Sequence, residues 1–286
     1  MIANLVEKSG YWSPRTASVD WCEPNYVHSY YVAEWFNTLS SFAVVLMGLI
    51  GVILSLIYSY KKRFFFSFLA MFIVGCGSVA FHGTLLFQGQ ALDELPMVWG
   101  TQIFLFIAIE SAYDGFDTLR FKWLPFALTI YCIIFTVGYF YLGTDAFVFF
   151  VALYISGVVT LVGMSISLYA RTSLVAQRLG LFSNIIYAGG FLLLWLPDKF
   201  LCSFFQPYSF HAWFHLTSTI GPWMGINFLL YAHYALAREH AEKKQGDRTK
   251  NVSAPRAELL FLPFIPLPYV ALDFTQHKKE NKSSLQ

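Results

Sequence analysis

The sequence predicts an all-α membrane protein: a seven-transmembrane helix bundle with its N-terminus lumenal or outside and its C-terminus cytoplasmic. Composition is the first reason. Of 286 residues, 57% are hydrophobic and 13% charged, against the roughly 25% charged of a soluble domain, too few polar side chains to cover a water-facing surface. Aromatic residues reach 19%, which suits helix ends seated among lipid headgroups. The second reason is a series of seven apolar runs, and the third is the lopsided distribution of Lys and Arg between them. The net charge of +2 is too small to imply nucleic acid.

Residues 1–36 are polar and aromatic, gather Asp20, Glu23 and Glu34, and form a lumenal segment. No basic stretch followed by a short apolar run and a small-residue cleavage site opens the chain, so the first spanning helix is expected to direct insertion. The apolar runs fall at about 37–59, 64–86, 91–112, 121–142, 145–169, 179–200 and 209–235. Each approaches the ~20 residues needed to cross ~30 Å of hydrocarbon. Short connections make consecutive helices antiparallel neighbours in one membrane domain over 37–235.

Cytoplasmic loops retain Lys and Arg. With Lys61, Lys62 and Arg63 inside, Arg120, Lys122, Arg171, Arg178 and the basic tail from Arg238 follow, leaving only Lys8, Arg15 and Lys199 outside. The tail, 236–286, is charged apart from Leu259–Phe274, an apolar stretch broken by Pro263, Pro266 and Pro268. It is too short and proline-rich to span and reads as lying on the membrane surface. Asn251 and Asn281 open glycosylation patterns but fall on the cytoplasmic side.

Three of the seven histidines lie in spanning helices near the outer face. His82 stands about four residues before the expected end of the second helix, ~6 Å along it. His211 and His215 open the seventh, at an i, i+4 spacing that puts both rings on one face. Three neutral imidazoles with an open fourth position form a catalytic zinc arrangement. Each alone reads as a buried, hydrogen-bonded histidine; convergence at one depth favours a metal, because ionisable groups in spanning helices are costly and usually functional. His28, His233, His240 and His277 lie at helix ends or in polar segments and need no special role.

Ser78 shares a helix face with His82, and Asp93 begins the third helix. Asp93 as an N-cap and Ser78 bonding back to a carbonyl are the plain readings. Beside a metal, a carboxylate can take a proton from water and a hydroxyl can bond an oxyanion. Asp198 is a second outer carboxylate, suited to orienting a histidine or capping a helix. The stretch from Asp20 to Asn25, with Glu34, concentrates oxygen donors fit for a hard cation such as calcium; a solvated acidic stretch stands equally open. Cys76 and Cys132 read as packing residues, whereas Cys22 and Cys202 share the oxidising side, where pairing is permitted.

At these residues the chain resembles the alkaline ceramidase family of integral membrane amidases. The matching strings are Gly10-Tyr-Trp, Asp20-Trp-Cys-Glu-Pro-Asn-Tyr26, Ala33-Glu-Trp-Phe-Asn37, Gly77-Ser-Val-Ala-Phe-His82, Leu92-Asp-Glu-Leu-Pro-Met97 and Phe210-His-Ala-Trp-Phe-His215. They run in family order, and the resemblance covers about residues 8–240. It implies a seven-helix bundle around an intramembrane zinc site that cleaves ceramide to a sphingoid base and a fatty acid. Carried over by motif, His82, His211 and His215 are zinc ligands, and Ser78 and Asp93 belong to the catalytic site. Asp20, Trp21 through its carbonyl, Glu23, Asn25 and Glu34 match a calcium site, with no ligand role for Pro24. Cys22 and Cys202 match the family's disulfide.

On that reading zinc polarises the amide carbonyl and acidifies water, Asp93 moves the proton, and Ser78 steadies the oxyanion. The partners are the ceramide substrate and the bilayer, the expected location the endoplasmic reticulum or Golgi membrane. A receptor of the adiponectin and progestin type is similar in its three histidines, serine and aspartate, but resembles an inverted topology. A metal transporter would want polar residues through the full membrane depth.

Overall fold

The computed structural model describes residues 8–114, 116, 118–245 and 255–273. The helices are α1 (Trp35–Ile57), α2 (Lys62–Thr84), α3 (Phe87–Ala112), α4 (Leu124–Leu142), α5 (Ala146–Tyr169), α6 (Leu174–Gly190), α7 (Leu196–Phe200), α8 (Cys202–Phe205) and α9 (Phe210–Gln245), followed by strands β1 (Arg256–Phe261) and β2 (Pro268–Asp273). Among the described residues, five stretches are long and apolar enough to cross a membrane: α1, α2, α3, the 46-residue Leu124–Tyr169 that holds α4 and α5, and the 27-residue Leu174–Phe200. The chain is therefore an all-α membrane protein carrying one small hairpin.

The N-terminal segment is stitched to the end of the bundle where α1 starts and α2 stops. Both carboxylate oxygens of Glu23 accept backbone N–H groups in the first turn of α1, from Phe36 at 2.7 Å and Asn37 at 2.9 Å. These are donors that a helix start otherwise leaves unpaired. Ala33 N donates to the Gly83 carbonyl and Glu34 N to the His82 carbonyl, so the segment lies on the end of α2. Leu85, at φ 53°, turns the chain sharply before α3 begins at Phe87. A disulfide joins Cys22 to Cys202, with Cα atoms 5.3 Å apart.

Close approach between α1, α2 and α3 depends on glycine. A Cβ on Gly48 would overlap the backbone of Phe72, and one on Gly77 the carbonyl oxygen of Leu92. α9 packs on α1 and α6. Phe64, Phe68, Trp223, Ile226 and Leu230 fill the space between helices.

Several expectations are corrected. α3 begins at Phe87 rather than near 91, so Asp93 lies in its second turn and caps nothing. The predicted sixth helix starts at Leu174, passes through a π-helical turn at Phe191–Trp195, and continues as α7. A π turn of this kind swings the following side chains to a new face. α9 runs past the expected end at 235 to Gln245. The apolar, proline-broken stretch of the tail folds as a hairpin: β1 and β2 pair antiparallel, Leu259 opposite Val270. The reason is that α9 offers it partners. Trp223 Nε1 donates to the Pro268 carbonyl at 2.8 Å, Val270 N donates to Asn227 Oδ1 at 3.1 Å, and Val270 and Leu272 are buried in the core. Cys76 is exposed rather than packed, and His233 is fully buried within α9, its Nδ1 3.1 Å from Ser111 Oγ. Asn251, Asn281 and His277 lie outside the described residues.

Candidate active site

His82 from the last turn of α2 and His211 and His215 from the first turns of α9 converge at the end of the bundle that the N-terminal segment covers. Their ring centroids are 4.7–5.0 Å apart, and one nitrogen of each lies within 4.8 Å of the others. All three are buried.

The second nitrogens show how the rings are held. His82 Nδ1 hydrogen-bonds to Glu34 Oε2. His215 Nδ1 lies 2.8 Å from Ser40 Oγ, which itself lies 3.0 Å from the carbonyl oxygen of Asn37. Ser40 gives its proton to that carbonyl and accepts from His215, so in both His82 and His215 Nδ1 donates and Nε2 is left with a bare lone pair. This assigns tautomers from the hydrogen-bond network. His82 Nε2 and His211 Nδ1 are buried with no partner among the described residues, a costly state that a cation would relieve. Oriented imidazoles backed by a carboxylate and a hydroxyl fit a zinc-type centre. The Trp21 indole stacks on His211 at 3.6 Å between centroids.

Beside the rings lies a cavity of about 130 Å³, lined by Ser78, Asp93, His211, His215, Trp21 and Trp195 among others. Gly77 lets α3 close on α2, which brings Asp93 to the same space as Ser78. Ser78 Oγ is 3.0 Å from Ser41 Oγ. Pro96 and Pro222, each inside a helix, also line this cavity. It shares Thr101, Phe104, Tyr154, Tyr187 and Pro222 with a larger apolar chamber of about 400 Å³ between α5, α6 and α9. Tyr154 and Tyr187 meet at the junction, hydroxyl to hydroxyl at 2.6 Å.

Asp198 does not reach the cavity lining. Its carboxylate accepts Cys22 N at 3.1 Å and His211 N at 3.2 Å, tying the N-terminal segment to the start of α9. Asp20, Trp21, Glu23, Asn25 and Glu34 lie together: Asn25 Nδ2 donates to Asp20 Oδ1 at 3.2 Å, and Trp21 N donates to Glu34 Oε1 at 3.2 Å. Burial pushes the Glu23 carboxyl up to about 7 and that of Glu34 up to about 8, with Glu34 repelling Glu23 and Asp20 repelling Glu34. Ser40, Ser41 and the Trp21 ring escaped the sequence reading. The available signal was the polar run Asn37, Thr38, Ser40 and Ser41 in the first turns of an otherwise apolar spanning helix.

The Ceramidase family model matches residues 13–258. Alkaline ceramidase 3 of Mus musculus is 32% identical over 255 residues, covering 85% of this chain and 94% of that protein. Alkaline ceramidase 1 of Homo sapiens is 29% identical, covering 72% of this chain and 79% of its own length. The alkaline ceramidase of Drosophila melanogaster is 27% identical, covering 81% and 82%. With a buried histidine trio in a helical membrane protein and a family model matched over most of its length, the chain belongs to the alkaline ceramidases, a family of enzymes.

Proposed function

We propose that this protein hydrolyses the amide bond of ceramide to a sphingoid base and a free fatty acid at a zinc centre held by His82, His211 and His215. The observation that carries the reading is the meeting of two unlike spaces: a small cavity beside three oriented imidazoles, sharing a wall with a larger apolar chamber. An amide flanked by two long chains fits that pairing.

A zinc ion there would polarise the amide carbonyl and acidify water. Asp93 takes a proton from the attacking water and delivers it to the amine nitrogen as the C–N bond breaks. Ser78 donates its hydroxyl to the carbonyl oxygen as negative charge builds on it. Glu34, Ser40 and Trp21 fix the rings. The chamber between α5, α6 and α9 shelters a hydrocarbon chain.

Asp20, the Trp21 carbonyl, Glu23, Asn25 and Glu34 are assigned to calcium. Two carboxyls driven up by burial and by a neighbouring carboxylate support the assignment, because a divalent cation among them reverses both effects. Seven spans are counted as α1–α6 and α9, with the N-terminus lumenal and the C-terminus cytoplasmic, on the placement of Lys and Arg. The location is the endoplasmic reticulum or Golgi membrane.

Product analysis by mass spectrometry tests the function. Purified, zinc-loaded protein is expected to release sphingoid base and fatty acid in equal amounts from ceramide. Intact ceramide after prolonged incubation would exclude the reading.

A further inference from the structure

The cavity beside the histidines holds a second carboxylate that the reaction leaves without a role. Glu94 follows Asp93 on α3 and lines the same space of about 130 Å³ as Ser78, Asp93, His211 and His215. It is only 4% exposed and belongs to a helix long and apolar enough to span. A carboxylate is costly to keep there, and one that is kept is usually functional.

Two donors hold it. Gln90, one helical turn earlier, donates from Nε2 to Glu94 Oε1 at 2.9 Å, and the Tyr139 hydroxyl of α4 donates to Oε2 at 2.7 Å. Both donors are themselves fixed. Gln90 Oε1 accepts Ser18 N at 2.7 Å, and its Nε2 also lies 2.7 Å from Ser18 Oγ. The Tyr139 ring is fully buried and stacks on Phe87. The carboxylate is therefore aimed by α3, α4 and the N-terminal segment together. An ionised carboxylate offers about four acceptor positions. Gln90 and Tyr139 take one on each oxygen, which leaves acceptor capacity on a group that lines the cavity.

The chemistry of ceramide supplies a donor. The carbon bearing its amide nitrogen is flanked by two hydroxyl-bearing carbons, so bringing the amide to the histidines carries both hydroxyls into the same small space. A hydroxyl buried without an acceptor forfeits the hydrogen bond it made in water. Ser78 is engaged by the carbonyl oxygen and Asp93 by the travelling proton, whereas Glu94 is free of both tasks. It sits ~1.5 Å along the helix axis from Asp93, and it lines the small cavity and not the apolar chamber. Its reach is to the groups beside the scissile bond, not to the hydrocarbon chains.

We propose that Glu94 is a specificity residue for the amino-alcohol part of the substrate, accepting a hydrogen bond from one of the two hydroxyls next to the amide-bearing carbon. The inference rests on the amidase reading and deepens it, making the substrate class an N-acylated amino alcohol rather than any long-chain amide.

Hydrolysis of ceramide, 1-deoxyceramide and 3-deoxyceramide by the zinc-loaded full chain tests the proposal. The wild type is expected to lose roughly 10–100-fold in kcat/KM for one of the two analogues, the range of a hydrogen bond to a charged group. Glu94→Gln keeps the shape of the side chain but is a weaker acceptor, and removes most of that discrimination by slowing ceramide and not the analogue. Glu94→Leu, with no acceptor, removes all of it. Because substrates are compared within one protein, any loss of folded or metal-loaded chain cancels. A side chain that merely links α3 to α4 would slow all three substrates equally when replaced. That outcome, discrimination that survives both substitutions, or a wild type indifferent to either hydroxyl overturns the proposal while leaving the amidase reading intact. A wild type that cleaves none of the three overturns the amidase reading, and this inference with it.

Discussion

The two halves of the bundle are packed on different principles. α1, α2 and α3 approach so closely that Gly48, Gly75 and Gly77 have a neighbouring backbone where a Cβ would stand. In α4–α6, Gly163 and Gly189 have nothing within 4 Å. α4 buries only Leu124, Phe135 and Tyr139, whereas α1 buries eight residues. The tight half carries Ser78, His82 and Asp93, and the loose half walls the 400 Å³ chamber. Catalytic groups must be held within a few tenths of an ångström, while a hydrocarbon chain needs only room and apolar walls. On the proposed function, the division of packing follows the division of labour.

The largest expected effect is at the seam where α9 meets the tight half. His211→Ala should lose stoichiometric metal by elemental analysis and abolish ceramide hydrolysis. Retention of both would mean that the three rings are merely packed.

Asp93→Asn comes next. Asp93 caps no helix, so the change should leave expression and metal content normal while turnover falls at least about a hundredfold, the lower end for a lost general base. Near-normal turnover in folded, metal-loaded protein would remove Asp93 from the mechanism.

The glycine contrast is tested in pairs. Gly77→Ala forces α2 from α3 and should lower stability by roughly 1–3 kcal/mol, with activity falling further because Ser78 and Asp93 separate. Gly163→Ala, in open space on α5, should instead stabilise by roughly 0.5–1 kcal/mol. Thermal unfolding in detergent reads both, and equal shifts in one direction would erase the distinction between the halves.

The smallest effect is in the chamber. Val162→Trp fills part of it without touching the histidines. It should move preference towards shorter acyl chains, lowering kcat/KM for long ones by roughly tenfold, the scale set by a few methylenes in an apolar pocket. A uniform loss across chain lengths would show that the chamber does not hold the acyl chain.

Much of this was legible in the sequence. The i, i+4 pair His211 and His215 must share a helix face wherever the helix lies, and seven apolar runs must seek lipid, because both follow from local geometry and composition. The disulfide between Cys22 and Cys202 was implied by motif and is present. Helix ends were less legible. The start of α3 depends on how tightly Leu85 and Leu86 turn, and that is set by packing of the N-terminal segment on the Leu85 carbonyl.

By itself, then, the sequence determined the membrane-spanning class, the histidine pair on α9 and the gathering of polar groups at one end, since hydropathy and helical period act within a single segment. Only the tertiary structure decided that Ser40 and Glu34 orient the rings, that the chamber lies between α5, α6 and α9, and that the proline-broken tail folds back along Trp223 and Asn227. Each of those depends on which distant residues meet. A hydroxyl, a carboxylate or a strand edge acquires a role only when packing supplies the partner that satisfies it.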